Sequence, residues 1–120
     1  MERIQYLHHS GRRVLLIDLT ECSAQDVAAI ADQVPACLRK EEPGSVLLLA
    51  DFTGARLTRE AIERIKIAAV FTRERLKRSA WVLNSGALPF RDAVQCFALR
   101  DIPSFATREE ALRFLTTDAA

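Results

Sequence analysis

At 120 residues, 49 % apolar and 28 % charged, the chain has the length and composition of one globular domain rather than of a disordered segment. A chain of this size can bury roughly two-thirds of its unfolded surface, so its core needs no disulfide or metal staple. The net charge of +1 supplies no overall field toward nucleic acid or anionic lipid, so any such attraction must come from a local patch.

The three cysteines, Cys22, Cys37 and Cys96, are far apart, odd in number and form no CxxC pair. Neither a disulfide framework nor a zinc knuckle is suggested, and the expectation is small buried thiols in a reducing compartment. The stretch Met1 to Tyr6 has no apolar signal core, and the longest apolar run, Val46 to Ala50, is too short to cross a bilayer. A soluble, cytoplasmic protein is expected.

Ile4 to Leu7 can form a first strand, and Ser10-Gly11-Arg12 a turn into a second at Arg13 to Leu19. Two apolar runs joined by a short glycine-containing turn predict an antiparallel hairpin. The second run is apolar on both faces and belongs inside the sheet. Ser23 starts a helix with Asp26 three residues on, and Val27, Ile30, Ala31, Val34 and Leu38 recur at helical spacing. Pro35 lacks an N–H and predicts a kink or an early stop. Pro43-Gly44 turns the chain into a short buried strand, Ser45 to Asp51.

Thr58 caps a second helix that is expected to run to about Lys77, followed by a strand at Ser79 to Asn84. Ser85-Gly86 leads to a third helix beginning near Pro89, since proline suits a first helical turn. Asp101 to Phe105 is a short terminal strand, and Thr107-Arg108-Glu109-Glu110 is a capping box for a last helix with Ala111, Leu112 and Leu115 buried. The order β-β-α-β-α-β-α-β-α predicts a single α/β domain over residues 1–120. Its sheet should be mixed and mostly parallel, opening with an antiparallel hairpin and faced by helices.

Within that pattern, the strand running into Asp51-Phe52-Thr53-Gly54 resembles the STAS domain of anti-sigma-factor antagonists. Segment order and ends are more similar to the STAS/SEC14-like, or SpoIIAA-like, family of small bacterial proteins. The stretches Gly11 to Asp18, Pro43 to Gly54 and Phe105 to Leu112 carry the likeness. It implies a mixed sheet faced by helices and a non-catalytic binding or regulatory role. In the antagonists the serine of Asp-Ser-Ser-Gly is a phosphorylation switch, and Thr53 occupies the matching position. Phe52 replaces the middle serine, and Ala55-Arg56 replaces the usual Leu-Gly.

Asp51, Thr53 and Gly54 lie where a strand ends and a helix approaches, the usual ligand edge of an open α/β sheet. They are candidates for an anion-binding loop or a phospho-switch. The competing reading is a plain turn in which Asp51 and Thr53 bond the backbone and Gly54 takes a positive φ. On the second helix, Ala61, Ile62, Ile65, Ala68, Ala69, Thr72 and Leu76 share the sheet-facing side. Ile67, Val70 and Phe71 fall opposite, beside Glu63 and Glu74. Apolar groups on a face that should be polar mark a contact surface, either a homodimer seam or the wall of a groove for a small apolar or anionic ligand. The alternative is that another part of the same chain covers them.

Between Arg56 and Arg78 the chain carries eight basic residues against three acidic ones. Without exposed aromatics at reading positions this is a solvated surface, with pairs such as Glu60–Arg64, rather than a nucleic-acid site. Asn84-Ser85-Gly86 is a candidate for a second turn of the anion-binding kind, the competing reading being plain strand-to-helix chemistry. His8 and His9 point to opposite faces of a strand and cannot readily share one ion, so no metal site is expected. Trp81 is expected in the core. There is no nucleophile elbow, dinucleotide fingerprint, phosphate loop or zinc signature, so no cofactor or catalytic residue is expected.

Overall fold

The computed structural model describes residues 3–83 and 103–117. Strand β1 (Ile4–His9) pairs antiparallel with β2 (Arg12–Asp18). Ser10 and Gly11 both have positive φ, 52° and 77°, as a two-residue hairpin turn that follows the strand twist requires. Helix α1 (Ala24–Leu38), strand β3 (Val46–Asp51), helix α2 (Arg59–Thr72), strand β4 (Leu76–Val82), strand β5 (Ser104–Phe105) and helix α3 (Arg108–Thr116) follow. The sheet runs β1-β2-β3-β4-β5, and every pairing after the hairpin is parallel.

Strand alternation divides the core into two layers. Leu15 and Ile17 of β2, Leu48 and Ala50 of β3, and Trp81 of β4 face α1 and α2. Val14 and Leu16, Leu47 and Leu49, and Ala80 and Val82 face the other way, onto Ala111 and Leu115 of α3. β2 and β3 are therefore apolar on both sides because both sides are covered. Each fully buried leucine or valine stabilises the fold by about 1.5–3 kcal/mol relative to exposure. Phe52 meets Trp81 edge-on, with ring centroids 5.5 Å apart at 72°, and Trp81 is a core residue.

The helix starts follow their caps. The hydroxyls of Ser23, Thr58 and Thr107 accept from the N–H groups of Asp26, Ala61 and Glu110 at 3.1, 3.2 and 3.2 Å. Pro35 does not stop α1, which continues three residues beyond it to Leu38. The proline removes one N–H within the last turn, where few helical bonds remain to be lost.

The second helix is shorter than its periodicity predicts. It ends at Thr72, a single 3₁₀ turn spans Arg73–Arg75, and β4 begins at Leu76 rather than Ser79. The carbonyls of Glu74 and Arg75 accept from the N–H groups of Gly44 and Ser45 at 2.9 and 3.1 Å. Those bonds pull this segment out of the helical ladder and lay it beside β3. Leu76 thus joins the core from a strand, not from the helix face.

The segment of Asn84-Ser85-Gly86, the helix expected near Pro89, Cys96 and the first part of the expected terminal strand lie outside the described residues. Cys22 is buried and Cys37 half-buried. Burial pushes the Cys22 thiol above its ordinary value and keeps it protonated. No helix among the described residues is long and apolar enough to cross a membrane.

Candidate functional site

The carboxyl ends of β2 and β3 carry the same local device side by side. Asp18 and Asp51 are register partners on adjacent parallel strands. The Oδ1 of Asp51 accepts from the Thr53 N–H at 3.0 Å and the Thr53 hydroxyl at 2.6 Å. The Oδ1 of Asp18 accepts from the Thr20 N–H at 3.1 Å and the Thr20 hydroxyl at 2.6 Å. Each Asp-x-Thr closes its own turn, as short polar side chains do where a strand must stop.

Two neighbouring carboxylates repel unless a cation sits between them, and Arg108 takes that place. Its Nε donates to Asp51 Oδ2 at 2.7 Å, and its terminal nitrogen lies 3.4 Å from Asp18 Oδ1. Arg108 opens α3, where the helix dipole disfavours a positive charge, so the carboxylates must hold it there. Arg3 adds a second cation, donating to the Thr20 carbonyl at 2.9 Å and lying 3.6 Å from Asp18 Oδ1. Burial alone would raise the Asp18 carboxyl. The Thr20 hydroxyl and N–H, with Arg108 and Arg3, outweigh it and hold Asp18 below its ordinary 3.8.

Gly54 has φ +70°, as the turn reading requires, and the Glu21 carboxylate packs directly over its Cα. The N–H groups of Phe52, Ala55 and Arg56 donate to the carbonyls of Val82, Phe52 and Cys22 at 3.0, 3.0 and 2.9 Å. With the Thr53 N–H spent on Asp51, these four donors are committed within the chain and offer no cradle for an anion. The Thr53 hydroxyl is half-buried and among carboxylates, which raises the cost of adding a phosphate there.

Asp51 and Thr53 are therefore together as expected, while Asp18, Thr20, Glu21 and Arg108 were missed. The sequence does repeat Asp-x-Thr at positions 18–20 and 51–53, and that repeat was a usable signal. Nothing local to Arg108 points 57 residues back to Asp51.

The outer face of α2 is the second feature. Phe71 is 72 % exposed, Ile67 53 % and Val70 43 %, while Ala61, Ile65, Ala68 and Thr72 are buried against the sheet. Arg64 pairs with Asp32 of α1 at 2.6 Å, rather than with Glu60 as its spacing suggests, and Lys66 lies 3.6 Å from Glu63.

A third feature lies on the opposite side of the same helix. An apolar cavity of about 90 Å3 separates α1 and α2 from the sheet, lined by Ala31, Val34, Leu48, Ile65, Ala68 and Trp81 among others. The expected groove wall of Ile67, Val70 and Phe71 does not border it, because those side chains point away from the sheet. Among the described residues no cluster of three metal-ligating side chains occurs, and His9 instead has its Nδ1 3.2 Å from the Thr116 hydroxyl. No family model matches the chain, and no curated protein or solved structure matches it either.

Proposed function

We propose that the chain is a non-catalytic binding module of the STAS/SEC14-like kind, which pairs with a second copy of itself through the outer face of α2. The observation that carries this reading is the exposure of Ile67, Val70 and Phe71 on one stripe of a helix whose other side, at Ala61, Ile65, Ala68 and Thr72, is buried. A contiguous apolar stripe of this sort on an otherwise charged helix is what interface centres look like. The three sequence stretches that resemble the family add a second, weaker support.

Self-pairing fits the stripe. In a two-fold contact the same patch meets itself, so each group must suit its own symmetry mate. An antiparallel crossing centred between Ile67 and Phe71 lets Phe71 of each helix cover Ile67 of the other.

The test is the mass in solution. Wild type should sediment at twice its 13.4 kDa, and Phe71→Asp at the monomer mass with its circular dichroism spectrum, and so its fold, intact. A wild type that stays monomeric at high concentration, with no partner added, overturns self-pairing.

A further inference from the structure

The cavity beneath α2 has chemistry that the docking face does not use. Its walls are apolar, but two polar side chains stand among the residues that border it. Arg73, in the 3₁₀ turn, and Ser79, on β4, are both only partly exposed. Among the described residues neither side chain makes a hydrogen bond or an ion pair. A guanidinium bordering an apolar cavity with no counter-charge among the described residues is a ready partner for a carboxylate, which it would hold through charge-assisted hydrogen bonds. Thr72, the remaining polar lining residue, spends its hydroxyl proton on the Ala68 carbonyl at 2.9 Å and adds no charge.

We infer that this cavity is a binding site for a small monocarboxylate with a short alkyl tail, the carboxylate held by Arg73 and Ser79 and the tail lodged against Trp81, Ala68 and Leu48. Size sets the tail. An apolar cavity of about 150 Å3 holds benzene, so one of about 90 Å3 takes an apolar group of about three to four carbons. A tail of that size is accommodated within the cavity, whereas a longer one would extend out through its open side. Polarity sets the head, because the bordering residues supply one cation, one hydroxyl whose proton is not already given to the Ala68 carbonyl, and no anion. The site concerns the sheet-facing side of α2 and stands or falls independently of pairing through Phe71.

Trp81 is the sole tryptophan and lines the cavity, so its fluorescence and indole N–H signal report occupancy directly. The full chain is titrated with isovalerate, with its neutral amide, and with acetate, which has the head but no tail. Saturable binding of isovalerate at millimolar concentration is expected, at least tenfold tighter than either the amide or acetate. Arg73→Gln should weaken isovalerate at least tenfold without moving the melting temperature or the amide's weak binding. Ala69→Leu, which fills the rim, should abolish it; if that variant does not fold, Arg73→Gln decides. No saturable change at Trp81, equal binding of acetate and isovalerate, or an unaltered Arg73→Gln each overturns the proposal.

Discussion

Arg108 Nε donates to Asp51 Oδ2 at 2.7 Å, joining the first residue of the last helix to the end of the central strand. The aspartate side chain is 6 % exposed and the arginine 38 %, so the pair sits at the boundary between core and solvent. Pairs in water contribute about 0–1 kcal/mol, whereas breaking a buried one costs about 3–5 kcal/mol. Arg108→Ala should fall between, at about 2 kcal/mol in urea denaturation. Arg108→Lys should recover only part of that, because one ammonium cannot reach Asp51 and Asp18 with two separate nitrogens. In a double-mutant cycle, Asp51→Asn should be less damaging once Arg108 is gone.

Asp18 makes the same region acid-sensitive. Its folded-state carboxyl lies below the ordinary 3.8, so it contributes stability that is present above that value. The contribution is lost as pH falls through the lower, folded-state value. Unfolding followed by circular dichroism from pH 6 downward should therefore steepen near and below about 3.8. Asp18→Asn should flatten that limb while lowering stability at neutral pH.

Much of this arrangement was legible in the residues, and the exceptions have physical causes. Helix starts could be placed because Ser23, Thr58 and Thr107 act on N–H groups three residues away. Strand interiors could be placed because Leu15 to Ile17 and Leu47 to Leu49 are apolar on both faces. The end of α2 could not, since it is set by Gly44 and Ser45 bonding to Glu74 and Arg75 across the sheet. Helical periodicity in Thr72 and Leu76 concealed that non-local pull. Arg108 was invisible for the same reason: its partners are brought to it by topology alone. The second apolar side of α2 was legible from its periodicity, but its exposure was not, because whether another part of the chain covers Ile67, Val70 and Phe71 is decided by packing distant in sequence.

Tyr6 gives an alkaline counterpart to the acid limb. Burial, then its 2.7 Å hydrogen bond to Glu41, raise the phenol from 10.0 to about 12. A raised folded-state value means the stabilisation is fully present below pH 10 and is lost as pH climbs toward about 12. Tyr6 is the only tyrosine, so tyrosinate absorbance follows it without ambiguity. Glu41→Gln removes the negative charge and should bring the midpoint part of the way back, with burial holding the remainder. A midpoint unchanged by that substitution would mean that Glu41 plays no part.

Gly54 tests whether the turn after β3 is held by backbone geometry or by its neighbour. Its φ of +70° is a conformation that a side chain disfavours by about 1–2 kcal/mol. A Cβ built there would also stand 1.9 Å from Glu21 Oε2. The two effects separate by mutation, because the Glu21 carboxylate is the far end of a flexible, exposed side chain and can swing aside. Gly54→Ala should lower stability in urea by about 1–2 kcal/mol, the conformational cost alone. Adding Glu21→Ala removes the clash but leaves the φ, so the double variant should regain little of the loss. Full recovery in the double variant would instead put the cost on Glu21, and the turn would then tolerate a side chain at position 54.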